Sequence, residues 1–343
     1  MHDIADFRSD TVTRPTPAMR KAMAEAEVDD DVLGHDPTTL ALEEEGARLV
    51  GKEAALFVPS GVMANLVALL THCRPADEVI LEEWAHSARF ESGGAGAIAH
   101  VITRTLRSNR GLMDPDEIAR WISPGSEHTP RTGLVIVEQT HNFHGGTVLP
   151  LDGLRRIQDV CRASGVPVHM DGARMWNAVA ASGLTGADHA ACADTVSFCL
   201  SKGLCAPVGS LLCGPRKFIE TARFHRKRVG GGMRQSGVLA AAGLIALREM
   251  RTRLSEDHAR ARRIAERLAA TPGFKVDLAA VQTNIVFVRL ERLVPARVVE
   301  EAAKERIRLY ATGPAQIRFV THHDVDDDDV GRLLDFLGRL AKD

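Results

Sequence analysis

Residues 197–214 read SFCLSKGLCAPVGSLLCG, and the stretch carries a single charged side chain, Lys202. Small and apolar residues flank it on both sides, although a lysine is seldom buried without a partner. Two readings are open. The stem packs while the ammonium snorkels to water, or a desolvated, neutral amine attacks a carbonyl and forms a Schiff base. Gly203, Pro207 and Gly209 mark a tight turn between two strands, which suits a positioned side chain.

Working outward, short β-rich runs alternate with amphipathic segments from about residue 50 to 214. AALFVPS, EVILEE, HVITRTL, GLVIVEQT, VPVHMDG, DTVSFCL and GSLLCG read as strands. GVMANLVALLTH, the AHSARFESGGAGA region, DPDEIARWIS and LDGLRRIQDVCRASG read as helices. This alternation predicts an α/β fold with a mostly parallel sheet. The composition shifts after residue 215. Two or three helices run to about residue 271, followed by the strand TNIVFVRL, a helix near 295–306, the strand QIRFVTH and a last helix opened by DVDDDDV. Carboxylates at a helix N-terminus favour its dipole. This part reads as a smaller α+β domain.

Bulk properties exclude several classes. The chain has 343 residues, a net charge of −2, 45% hydrophobic and 26% charged residues. Such a balance gives no general nucleic-acid binder, because no basic excess exists to neutralise phosphates. The basic run RKFIETARFHRKR reads as a solvated helix face or a subunit contact. The six cysteines form no CxxC pair and read as free thiols in a reducing cytoplasm. MHDIADFRSD has no apolar h-region, and no apolar run is long enough to span a membrane.

Lys202 needs partners. In VPVHMDGAR a strand runs into Asp171, and ligands of open α/β sheets sit beyond the carboxyl ends of strands. Pyridoxal phosphate (PLP) requires such a carboxylate to keep its pyridine nitrogen protonated. The competing reading makes Asp171 a cap for the helix that follows. In VPSGVMANLVALL, Ser60 and Gly61 open a helix whose free amides suit a phosphate, or they form an ordinary strand-to-helix turn. His86 in EEWAHSARFES and His141 in EQTHNFHGG each follow a strand end, where a histidine can stack on a ring or move protons. His144 reads as loop.

The constellation resembles the L-threonine aldolases, PLP enzymes of the aspartate-aminotransferase fold. The resemblance rests on FRSDTVTRPT, VPSGVMAN, EQTHN with GG and VLP, HMDGAR, CLSKGLCAPVGS, GGGMRQSGVLAAAG and IRFVTH, which follow the family order over nearly the whole chain. It implies a fold type I transferase with a large domain built on a mostly parallel seven-stranded sheet. We expect that PLP-binding domain over 15–250 and a small α+β domain from 1–14 and 251–343.

The resemblance also implies roles. Lys202 matches the lysine that links to PLP, and Asp171 the carboxylate on the pyridine nitrogen. Arg174 matches an arginine near the ring hydroxyl and the substrate. His86 matches the histidine stacked on the ring, and His141 the second active-site histidine. Ser60, Gly61 and Val62 match the phosphate loop, and Ser9 and Arg318 the residues that hold the substrate carboxylate. Arg234 matches a residue reaching the cofactor phosphate of a neighbouring subunit. No metal is expected.

Two departures stand out. Val62 replaces a threonine common in relatives. Leu33, Gly34 and His35 stand where relatives carry tyrosine, glycine and an acidic residue, and Tyr310 is the single tyrosine of the chain. The implied activity is cleavage of L-threonine, L-allo-threonine or a related β-hydroxy-α-amino acid to glycine and an aldehyde. The rivals are β-elimination or transamination on the same fold, or a PLP-fold protein that binds without catalysis. The expected assembly is a cytoplasmic dimer of dimers, with active sites at subunit interfaces and no nucleic-acid or membrane partner.

Overall fold

The computed structural model describes residues 4–342, so residues 1–3 and 343 of the expected small domain lie outside it. Its main sheet has seven strands: β1 (Ala54–Val58), β2 (Glu78–Glu82), β3 (Ile102–Leu106), β4 (Thr132–Glu138), β5 (Val168–Asp171), β6 (Thr195–Cys199) and β7 (Ser210–Gly214). Their spatial order is β1-β7-β6-β5-β4-β2-β3. Strand β7 runs antiparallel to both neighbours, and the other pairings are parallel.

The sequence explains this arrangement. β2 and β4 are buried along their whole length, as strands covered on both faces by helices must be. Alternate residues of a strand face opposite ways. Val79, Leu81, Leu134 and Ile136 accordingly share one core with Leu69, while Ile80, Val135 and Val137 join Val168, Met170 and Phe198 in another. The polar strand ITRTL forms the edge strand β3.

A second sheet is antiparallel, with strands β8 (Phe274–Lys275), β9 (Ile285–Leu290), β10 (Tyr310–Gly313) and β11 (Gln316–Val320) in the order β8-β9-β11-β10. The N-terminal segment packs here. Ala5 and Phe7 share a core with Val286, Phe319 and Phe336. The Asp327–Leu340 helix begins at Asp326, whose carboxylate accepts the Asp329 N–H in a capping box.

Two local expectations change. The AHSARFESGGAGA region forms two single turns, His86–Arg89 and Gly94–Ala97, because Ser92 and Gly93 adopt positive φ between them. Asp171 does not cap the helix that follows it. Its Oδ1 accepts the Ala173 N–H at 3.1 Å, and the Met175–Ser182 helix starts at Arg174 with no side-chain cap.

The carboxyl ends of β2, β4, β5 and β6 meet at one edge of the main sheet. Register places Glu138 beside Asp171 and Asp171 beside Ser197. The loops leaving that edge carry His86, His141, Arg174 and Lys202. Lys202 is half-buried in the β6–β7 loop, not in the core. Its carbonyl accepts Thr13 Oγ1–H at 2.8 Å and the Cys205 N–H at 2.9 Å, and Leu200 N–H donates to Gly209 O at 2.9 Å to close the loop. Gly209 has φ +109°, and a Cβ there would overlap the Phe57 ring. Gly209→Ala therefore combines a disfavoured backbone with overpacking. We expect a loss of about 2 kcal/mol or more of stability by urea unfolding, and a valine-sized residue should cost more.

No helix among the described residues is long and apolar enough to cross a membrane.

Candidate active site

A cleft of about 430 Å³ opens at the carboxyl edge of the main sheet, against the small antiparallel sheet. Ser9, His86, Arg174, Lys202 and Arg318 line it together with Asn142, Phe90, Phe143 and Tyr310. Five sequence-predicted residues from five distant segments thus share one cavity.

Asp171 lies buried at the end of β5. Asn65, on the Gly61–His72 helix, donates from Nδ2 to Asp171 Oδ2 at 2.7 Å and to Glu91 Oε1 at 2.8 Å. Its Oδ1 accepts Ser197 Oγ–H at 3.1 Å and lies 3.3 Å from His169 Nε2. His169 Nδ1 is 2.9 Å from Thr195 Oγ1. Burial pushes the His169 imidazole down to about 4, so this ring is neutral and ties Asp171's strand to its neighbour without adding charge.

His86 Nδ1 is 2.9 Å from Glu91 Oε1. Burial opposes charge on this ring, but Glu91 and then Asp171 outweigh it and raise the pKa. Glu138 braces two loops at once: Oε2 accepts the His86 N–H at 2.7 Å, and Oε1 accepts the Asn142 N–H at 2.9 Å.

At the other end of the cleft two guanidinium groups converge. Arg174 donates in a fork to Asp10, from Nε at 2.8 Å and from Nη2 at 2.6 Å. Its Nη1 donates to Asn142 Oδ1 at 3.1 Å, and Arg318 Nη1 donates to the same oxygen at 3.3 Å. Arg318 Nε is buried without a hydrogen-bond partner among the described residues. Burial, with Arg174 close by, pushes the Arg318 pKa down to about 10. Two cations sharing one neutral acceptor, with a donor to spare, have the charge and fork geometry that suit a carboxylate.

The remaining predicted residues stand elsewhere. His141 is fully buried and does not line the cleft; its Nε2 is 3.0 Å from Glu82 Oε2. Ser60 caps the Gly61–His72 helix by accepting the Met63 N–H at 3.2 Å, and Val62 is exposed. Arg234 is 60% exposed and donates to Asp30 Oδ2 at 2.8 Å. Leu33 and His35 are exposed and outside the cleft lining.

Comparison with known proteins decides the family. Residues 6–291 match the family model described as β-eliminating lyase. The chain is 45% identical over 332 residues to low-specificity L-threonine aldolase 1 of Arabidopsis thaliana, covering 95% of this chain and 93% of that one. It is 43% identical over 329 residues to the low specificity L-threonine aldolase of Escherichia coli K12, covering 96% of each.

The chain belongs to the threonine aldolases of the β-eliminating lyase family. A threonine aldolase structure from Leishmania major shares the fold, with a TM-score of 0.87 at 21% identity over 98% of this chain and 99% of that one. A serine palmitoyltransferase solved with PLP shares it at a TM-score of 0.77 and 18% identity, over 99% of this chain and 89% of that one. The main sheet, mostly parallel with seven strands, is that of the fold type I PLP enzymes.

The residues present in this threonine aldolase fit PLP. The Lys202 side chain faces the cleft and makes no hydrogen bond among the described residues, its carbonyl being the engaged group. The buried Asp171 carboxylate lies behind the cleft lining, within 4.8 Å of the His86 ring nitrogen and the Glu91 carboxylate. The Gly61–His72 helix offers free N-terminal amides for a phosphate.

Sequence reasoning missed Asp10, Asn65, Glu91 and Asn142 as site residues. Three of them sit inside the quoted motifs FRSDTVTRPT, VPSGVMAN and EQTHN, next to or a few residues from those assigned. Their position in those motifs was the available signal.

The His86–Glu91 contact makes a testable statement. A raised folded-state pKa contributes stability that is complete below the unfolded value and lost as pH rises through the folded one. The His86 imidazole should titrate above its ordinary value near 6.5 by NMR. Glu91→Gln should bring that titration down and reduce this part of the pH dependence of stability, leaving the share due to Asp171.

Proposed function

We propose that this chain is a PLP-dependent carbon–carbon lyase that cleaves L-threonine, L-allo-threonine and related β-hydroxy-α-amino acids to glycine and an aldehyde. The observation that carries the reading is the convergence of Arg174 and Arg318 on Asn142 Oδ1, in the same cleft as Lys202 and His86.

Lys202 would hold the cofactor through Nζ, Asp171 would keep its pyridine nitrogen protonated, and Ser60, Gly61 and Val62 would meet its phosphate. Once bound, PLP supplies the sink for the electron pair left when the α–β carbon bond breaks. Arg318, with Arg174 and Ser9, takes the substrate carboxylate and so fixes the α-carbon. Asp10 and Asn142 hold the two guanidinium forks in place, so little ordering is left for substrate to supply. His86 is the proton acceptor we assign to the β-hydroxyl: its ring faces the cleft while Nδ1 is held by Glu91. His141, closed from the cleft, shapes the loop that carries Asn142.

We further read residues 15–250 as the PLP-binding domain, and 1–14 with 251–343 as the small domain. The packing of Ala5 and Phe7 against Phe319 supports that division. We place the protein in the cytoplasm as a homo-oligomer, a dimer of dimers. The free cysteines support the compartment, and the exposure of Arg234 and of Val62 at a helix N-terminus supports sites shared between subunits.

The test is incubation of PLP-loaded protein with both threonine diastereomers, with assays of glycine and aldehyde. Equimolar glycine and acetaldehyde support the reading, and 2-oxobutanoate with ammonia would replace it by β-elimination. Borohydride trapping should label Lys202, and Lys202→Ala should lose both label and turnover. Arg318→Gln should lower kcat/KM roughly tenfold to hundredfold, the worth of one charged hydrogen bond, with most of the change in KM.

A further inference from the structure

We propose that Glu82, His141 and His144 form a binding site for one divalent transition-metal ion of the zinc class, on the edge of the substrate cleft. Their ligating atoms all lie within 4.8 Å of one another. Glu82 ends β2 and is buried. His141 immediately precedes, and His144 ends, the single 3₁₀ turn Asn142–His144. A spacing of three residues across a 3₁₀ turn puts two side chains on one face. Both rings turn Nε2 toward the same carboxylate: His141 Nε2 is 3.0 Å from Glu82 Oε2, and His144 Nε2 is 3.1 Å from Glu82 Oε1.

Hydrogen bonding alone does not account for this cluster. The His144 contact has hydrogen-bond geometry. The His141 contact does not, and neither ring nitrogen of this fully buried histidine has a hydrogen-bond partner among the described residues. A buried polar atom left unpaired is costly and demands an explanation. An imidazole nitrogen 3.0 Å from a carboxylate oxygen, outside hydrogen-bond alignment, is also the separation of two ligands on one ion.

The surroundings fit a cation. Two imidazoles and a carboxylate are a zinc ligand set that leaves a position for water. The Glu82 carboxylate is itself oriented, accepting Ser108 Oγ–H at 2.8 Å and the Trp84 N–H at 2.5 Å. Glu138 and Asp171 add negative charge around His141. The exposed edge of His144 opens on a separate cavity of about 220 Å³, which it lines with Asp277, Arg110 and Phe143, and which gives an entry path and room for water.

Asn142 stands between the two histidines, so an ion there would pin the residue that orients Arg174 and Arg318. Metal binding itself is independent of the proposed reaction.

Holoprotein stripped with a chelator and titrated with Co(II) should bind one ion per chain and develop visible ligand-field absorption. Zn(II) should displace it, and X-ray absorption of the zinc-loaded protein should report imidazole nitrogen and carboxylate oxygen donors. His144→Asn, on a partly exposed loop, and Glu82→Gln should each weaken Co(II) binding at least tenfold. Asp277→Asn, which lines the entry cavity without contributing a ligand, should leave it unchanged. Absence of a stoichiometric ion in wild type, or equal binding in His144→Asn with its fold intact by circular dichroism, overturns the site. X-ray absorption of the wild type decides the question even if a variant misfolds.

Discussion

The buried fork between Arg174 and Asp10 is the contact on which the site depends. It joins residues 164 positions apart, and both side chains are almost wholly removed from water. Removing two charges from water is expensive, and good geometry with further hydrogen bonds must offset it. Here Asn284 Nδ2 donates to Asp10 Oδ2 at 3.2 Å, and Asn142 accepts from Arg174. Burial alone would raise the Asp10 pKa, yet Arg174, with Lys202 and Asn284, holds its carboxyl well below the usual range. One ion pair therefore fixes the N-terminal segment, the loop after β5 and the entrance to β9 against one another.

From that pair the placement of the second guanidinium follows. A guanidinium whose fork is occupied on one side presents its remaining edge in one direction. Asn142 reads that edge and relays it to Arg318, while Glu138 fixes Asn142 by its backbone and fixes His86 by the same carboxylate. Within the cleft, Arg174 is thus held by the buried Asp10 and His86 by the buried Glu91. Precise placement of this kind lowers the ordering cost that a reaction otherwise carries.

Asp171 is held mostly by neutral groups. Asn65, His169, Ser197 and Thr195 link around it without charge, and Asn65 shares its amide with a second buried carboxylate, Glu91. A fully satisfied buried network specifies a single geometry, whereas a partly satisfied one is destabilising. The Glu82, His141 and His144 cluster, like Arg318 Nε, breaks that rule among the described residues, and its imbalance lies in the loop that carries Asn142.

The sequence by itself determined the alternation of strands and helices, the edge at which strand-end residues collect, and the chemical types Lys202, Asp171 and Arg318. Hydrophobic period and turn residues are local properties, so they can be read without a fold. It did not separate His86 from His141, since each follows a strand end; the tertiary structure leaves one in the cleft and seals the other behind Glu82. His144 reads as plain loop until β2 places Glu82 beneath it. Asp10 and Asn65 lie inside motifs the sequence offered, but their roles stay hidden there because their partners are 164 and 106 residues away. Those partnerships depend on strand order and register, which bring distant side chains within a few ångströms and which no short window of sequence contains.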